Sequence, residues 1–300
     1  MVDDLSMNVV AALRGRLIPE TSMPCLRVGV IGDPVEHSLS PVFHQPALDA
    51  AGIPATYERW HTTAADLPTR IAGLRSPDAM GANVTLPHKE AVAGLVDELS
   101  ETARRVGAVN TVVNRDGRLL GDNTDVHGFR RSVLEALPDV ASRAVLLLGA
   151  GGAARAVLVA LGELAVPAIT VANRSPEKAA RLIEELRVER ATVVGIGTAD
   201  LAPCIRDYSV IVNATSVGWN TEESLLDRPL LERLRADALV VDLTYRPTGL
   251  LRLAAGIGLA TLDGLPMLVY QGARSFELWT GREAPIDLMM RAATEARGVS

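Results

Sequence analysis

Ala144 to Leu148 form an uninterrupted apolar run that leads directly into Gly149-Ala150-Gly151-Gly152-Ala153-Ala154-Arg155 and then into an Ala- and Leu-rich stretch. A wholly apolar run of this kind reads as a strand buried on both faces, which belongs in a parallel sheet covered by helices. The small residues after it satisfy GxGxxA in its required place between strand and helix. Each has a physical task. Gly149 permits the tight turn, Gly151 lets backbone N–H groups approach an anion, and Ala154 allows close packing of helix on strand. The helix N-terminus then offers unpaired N–H groups and the positive end of its dipole to a pyrophosphate. Gly149, Ala150, Gly151, Gly152 and Ala153 are therefore the expected dinucleotide-binding loop.

Around this loop, short β-rich runs alternate with helical patterns from about Leu26 to Leu262, the signature of an α/β fold. In the first half the expected strands are Leu26–Ile31, Ala55–Trp60, Ala82–Leu86 and Ala108–Val113, and Asn114-Arg115-Asp116-Gly117 supplies a hairpin turn. In the second half Ala168–Val171, Thr192–Ile196, Val210–Val212 and Ala238–Leu243 follow the first strand. A length of 300 residues predicts two domains. No apolar run reaches the roughly 18 residues of a membrane helix, and Asp3, Asp4, Arg14 and Arg16 make the start unlike a secretory leader. Cys25 and Cys204 sit in no CxxC or His-rich neighbourhood and read as free thiols, so a cytoplasmic protein is expected. The formal charge of −6 argues against nucleic acid as a partner but leaves room for an acidic small molecule in a locally basic pocket. The five histidines show no ligand spacing and no GxSxG elbow exists, so neither a metal nor a hydrolytic triad is expected.

An NAD-binding strand–helix unit usually ends its second strand with an Asp or Glu that accepts bonds from the adenosine ribose. Here the corresponding segment is Val171-Ala172-Asn173-Arg174-Ser175, with Lys178 one turn later. A guanidinium, a hydroxyl and an ammonium suit a 2′-phosphate, so NADP is the expected cofactor, held by Asn173, Arg174, Ser175 and Lys178. The competing reading makes Arg174 and Lys178 ordinary solvated residues at a helix start. That helix has Ser175 at its cap, Pro176 at its first position and an inward stripe of Ala179, Leu182, Ile183 and Leu186.

Three segments of the first half gather polar residues at strand ends, where ligands bind in open α/β sheets. Gly32 to Pro41 places Ser38 and Ser40 on one loop, with Ser40 a candidate cap for the helix that begins at Pro41. The two hydroxyls suit a carboxylate, and equally suit an ordinary turn and cap. Gly81 to Lys89 carries Asn83, Thr85 and Lys89, and Gly121 to Asp125 ends on a carboxylate near the start of the second domain.

These segments resemble motifs of the shikimate dehydrogenase family: GxPxxHSxSPxxHN at Gly32 to Gln45, NVTxPxK at Asn83 to Lys89, GAVNT at Gly107 to Thr111 and DNTD at Asp122 to Asp125. The likeness continues through the glycine loop, Asn173 to Ser175, Asn213 to Gly218 and Pro266 to Gln271, so that it spans roughly residues 26 to 280 in family order. The resemblance implies reversible NADPH-dependent reduction of 3-dehydroshikimate to shikimate. It implies Lys89 and Asp125 as the catalytic pair, Ser38, Ser40 and Tyr245 around the substrate carboxylate, and Asn83, Thr85, Asn110 and Gln271 around its ring hydroxyls. Thr215 and Gly264 join the cofactor residues.

It further implies a two-domain α/β protein: residues 1–124 for substrate, with 264–300 returning to them, and a Rossmann-type NADP domain over 125–263. A homodimer is admitted, with nothing in the sequence to fix it. Two rivals remain: an NAD-using quinate/shikimate dehydrogenase, and a catalytically idle NADP-sensing member. The missing ribose acid and Ser40 count against the first, Lys89 with Asp125 against the second. Departures from the pattern are Gln45 and Pro46, where the proline is expected to bend or restart its helix, Val126 after Asp125, Trp219 where methionine is usual, and Gly249 where proline is usual.

Overall fold

The computed structural model describes residues 25–219 and 221–298. The expectations about the start of the chain therefore lie outside the described residues. Two six-stranded sheets make up the frame. The first is built from β1 (Leu26–Gly32), β2 (Ala55–His61), β3 (Ala79–Val84), β4 (Glu98–Leu99), β5 (Thr111–Arg115) and β6 (Arg118–Asp122), in the order β2-β1-β3-β5-β6-β4. β1 runs parallel to β2 and β3, and β4 parallel to β6. β5 is antiparallel to both β3 and β6. The β5–β6 hairpin turns at Asp116 (φ 52°) and Gly117 (φ 84°), the two left-handed residues that a two-residue turn of matching twist requires.

The second sheet contains β7 (Val145–Leu148), β8 (Ile169–Asn173), β9 (Ala191–Gly195), β10 (Val210–Asn213), β11 (Leu239–Asp242) and β12 (Ala260–Leu262), in the order β12-β11-β10-β7-β8-β9. Every pairing in it is parallel. β7, β8, β10 and β11 are apolar and buried over nearly their whole length, as strands covered on both faces must be. The strand order reverses between β7 and β10, so a crevice opens beyond their carboxyl ends.

Two helices join the sheets. Asp125–Ala136 leaves β6 and packs on Gly152–Glu163 of the second sheet and on Leu265–Thr280. The latter follows β12 and returns to β3 and β5, while Ile286–Gly298 packs on Ser40–Ala50. The apolar core beneath β1 accordingly mixes Val28, Phe43 and Tyr57 with Val269, Phe276, Trp279 and Met289.

Three local expectations are corrected. Ser40 is the first residue of its helix, not the cap; that place falls to Leu39, and the Ser38 hydroxyl accepts from the Ser40 N–H. Pro46 does not restart this helix, which continues from Ser40 to Ala50. Ser175 does stand at the cap of its helix, but its hydroxyl makes no cap bond. Strand limits also move: β3 stops at Val84, where after one further bond from the Thr85 N–H to the Ile31 carbonyl the chain turns, with the His88 N–H donating to the Thr85 carbonyl.

Candidate active site

Lys89 owes its position to the turn that ends β3. His88 is buried and its Nε2 lies 2.6 Å from the Thr62 carbonyl, while the Val109 N–H donates to the Lys89 carbonyl at 2.7 Å. Side chain and backbone thus pin the segment from two sides. Asp125 opens the Asp125–Ala136 helix, so its carboxylate lies at the positive end of the helix dipole. The two meet: Lys89 Nζ donates to Asp125 Oδ2 at 2.8 Å, with side-chain exposures of 18% and 9%. Such a pair is shielded from water, and removal of either member leaves an uncompensated charge.

The second carboxylate oxygen, Oδ1, accepts from Asn110 Nδ2 at 2.9 Å. Asn110 also donates to Gln271 Oε1 at 3.2 Å and to Thr124 Oγ1 at 2.9 Å, and its own Oδ1 accepts the Thr124 N–H at 2.7 Å. Gln271 Nε2 turns back to its own helix at the Leu268 carbonyl. Asn83 donates to Ser275 Oγ at 3.0 Å and accepts from the Tyr57 hydroxyl at 2.7 Å. The network closes through Thr111, whose Oγ1 lies 2.8 Å from Ser275 and 3.2 Å from Thr124. Lys89, Asp125, Asn110, Gln271 and Asn83 therefore come together as one polar cluster over the end of the first sheet. Thr85 stands half-buried after β3, its methyl group packed where Gly32 lacks a Cβ.

Arg59, two residues beyond Tyr57 on β2, reaches the serine loop and donates from Nη2 to the Ser38 carbonyl at 2.8 Å. Ser40 is buried and Ser38 half-buried. Tyr245, on the loop after β11, donates to the His37 carbonyl at 3.2 Å and so brings the second sheet against the serine loop. Its loop is anchored by Asp242, which is fully buried and accepts from Asn213, Thr248 and the Thr244 N–H, each at 2.9 Å. Trp219 lies edge-on to Tyr245 with ring centroids 5.1 Å apart. Gly249 lets this loop close in, since a Cβ there would come within 2.3 Å of the Glu222 carbonyl.

The glycine loop sits at the reversal point between β7 and β10. Gly149 has φ 104° and faces Thr215, so its place requires glycine. Gly151 and Gly152 behave differently: a Cβ on either meets nothing within 4 Å, so the N-terminus of the Gly152–Glu163 helix is open. That open cradle fits a pyrophosphate. Asn173 donates to the Ser175 carbonyl at 3.0 Å, and Arg174 and Lys178 are exposed without an ion-pair partner among the described residues. Thr215 uses its hydroxyl within its own loop, donating to Asn213 Oδ1 at 2.8 Å. Gly264 is demanded by packing, because a Cβ would come within 2.0 Å of the Leu243 carbonyl.

Known proteins match along the whole of this framework. A model of the shikimate dehydrogenase substrate binding domain matches residues 30–112, one of shikimate/quinate 5-dehydrogenase residues 131–247, and one of the shikimate 5'-dehydrogenase C-terminal domain residues 264–294. A shikimate dehydrogenase (NADP(+)) of Symbiobacterium thermophilum is 43% identical over 275 residues, which cover 90% of this chain and 94% of that protein. The chain belongs to the shikimate dehydrogenase family. Within the family, the shikimate 5-dehydrogenase of Thermus thermophilus, solved in complex with NADP(H) and shikimate, is 42% identical with a TM-score of 0.79, covering 90% of this chain and 99% of that one. Quinate dehydrogenase of Corynebacterium glutamicum, solved in complex with NAD, is 32% identical with a TM-score of 0.82 over 90% and 99% of the two chains.

Tyr57, Thr111, Thr124 and Ser275 belong to the polar cluster, yet sequence reasoning does not single them out. Thr111 and Thr124 lie inside the GAVNT and DNTD segments, and Ser275 stands one helical turn from Gln271, so spacing is a signal that can find these three. Nothing in the order of residues marks Tyr57. Among the described residues no helix is long and apolar enough to cross a membrane, and Cys25 and Cys204 are free.

Proposed function

We propose that the chain is an NADP-dependent shikimate dehydrogenase, reducing 3-dehydroshikimate to shikimate and running in reverse. The observation that carries the reading is the shielded Lys89–Asp125 pair at 2.8 Å, held by Asn110. NADP, when bound in the glycine loop, supplies or accepts the hydride. Lys89 supplies the proton: its ammonium is placed to stabilise the oxygen that becomes an alkoxide during reduction and to protonate it. Asp125 fixes the direction of Nζ through one oxygen while Asn110 fixes Asp125 through the other. Asn83, Asn110, Gln271 and Thr85 orient the ring hydroxyls, and Ser38, Ser40 and Tyr245 receive the carboxylate. Gly149 to Ala153 would cradle the pyrophosphate, with Asn173, Arg174, Ser175 and Lys178 for the 2′-phosphate, and Thr215 and Gly264 would complete the cofactor site.

On this reading residues 1–124 with 264–300 form the substrate domain and 125–263 the NADP domain. The enzyme works in the cytoplasm, and sedimentation velocity tests whether it is a homodimer. No carboxylate ends β8 to receive a ribose hydroxyl, which favours NADP over NAD. Steady-state oxidation of shikimate and quinate, each with NADP⁺ and NAD⁺, tests the assignment. Shikimate with NADP⁺ should give the highest kcat/KM. Preference for quinate with NAD⁺ would move the chain to the quinate branch, and inactivity in all four combinations would make it an idle NADP binder.

A further inference from the structure

A chain with a formal charge of −6 repels a carboxylate at long range, so local positive charge at the serine loop would favour its approach. Two guanidinium groups stand there without a carboxylate partner among the described residues. Arg59, exposed on β2, spends two N–H groups on the Ser38 carbonyl, at 2.8 and 3.2 Å. Arg246 follows Tyr245 on the other sheet's loop and lies over the Trp219 ring, 5.7 Å from its centroid. Of the other charges that border the cavity of Arg246, Glu222 pairs with Arg252 and Arg297 with Asp263. Burial raises the pKa of the Tyr245 phenol, and Arg246 and then Arg59 oppose that rise, as charges close to its hydroxyl do.

We infer that Arg59 and Arg246, one from each sheet, steer the substrate's carboxylate to Ser38, Ser40 and Tyr245 and contribute to its binding through space. The inference rests on the proposed activity, and its signature is a dependence on ionic strength. Attraction over a distance is felt at an ionic strength of about 0.01 M and largely screened at about 0.5 M. Arg246→Gln should lower kcat/KM for shikimate about threefold at the low value, in KM more than in kcat, with the difference fading at the high value.

Arg59→Gln also removes the bonds to Ser38, so Arg59→Lys is measured beside it. The lysine variant keeps the charge and should restore the salt dependence that the glutamine variant loses. An active chain whose salt dependence is the same in the unaltered protein, Arg246→Gln and Arg59→Gln would overturn the steering role. Inactivity of the unaltered chain toward shikimate would sink the underlying activity instead, and the two failures are read from separate columns of the same experiment.

Discussion

At the scale of single residues, the Lys89 ammonium has one described acceptor, Asp125, and the chemistry assigned to it is a proton transfer. Lys89→Ala should therefore lower kcat by about 10²- to 10⁴-fold, the usual worth of a positioned acid, while shikimate binding changes far less. Steady-state kinetics with a binding titration checks this, and a loss confined to KM would contradict it. His44 carries a different prediction. It is fully buried, stacked on Tyr57 with ring centroids 4.5 Å apart, and no described residue gives either ring nitrogen a well-formed hydrogen bond. Burial drives its pKa down to about 3, against a weaker upward pull from Asn83.

Since the folded value lies below the unfolded one, the unfolded chain binds more protons between pH 6.5 and 3, and stability falls as pH drops through that window. By itself the group should remove about 2 kcal/mol between about pH 7.5 and pH 5. Urea midpoints at the two values should draw together in His44→Leu; an unchanged gap would rule out His44 as the source.

Elements meet at Gly128. A Cβ there would come within 2.6 Å of the Met267 carbonyl and 2.9 Å of the Gln271 side chain, so the Asp125–Ala136 and Leu265–Thr280 helices cross in backbone contact. Gly128→Val should cost about 1–3 kcal/mol in urea unfolding, by forcing the helices apart. It should also raise KM for shikimate, because the same displacement carries Gln271 away from Asn110.

How much of this is legible in the sequence follows from what periodicity records. The apolar strands of the second sheet and the glycine loop announce themselves through composition alone, whereas β4, two residues long, and β12, three, carry no usable pattern. Pro46 does not restart its helix, which packs against β2 and Ile286–Gly298. Among site residues, Lys89 and Asp125 stand out as charges at strand ends. Tyr57 does not, since its role depends on which strand lies beside which, a property of topology and not of local order.

For the molecule as a whole, a ligand that binds only the folded state raises its stability in proportion to the logarithm of its concentration. Saturation with NADP⁺ at about 100 times Kd should add about 2.7 kcal/mol, visible as a higher Tm. NAD⁺ at equal concentration should add less, and Arg174→Asp should narrow the gap between the two cofactors; an equal shift by both in the unaltered chain would contradict the role of Arg174. The core beneath β1 draws Val269, Phe276 and Met289 from the far end of the chain. The first sheet is therefore completed by residues far along the sequence from β1, and contacts of long sequence separation must form before its core is closed.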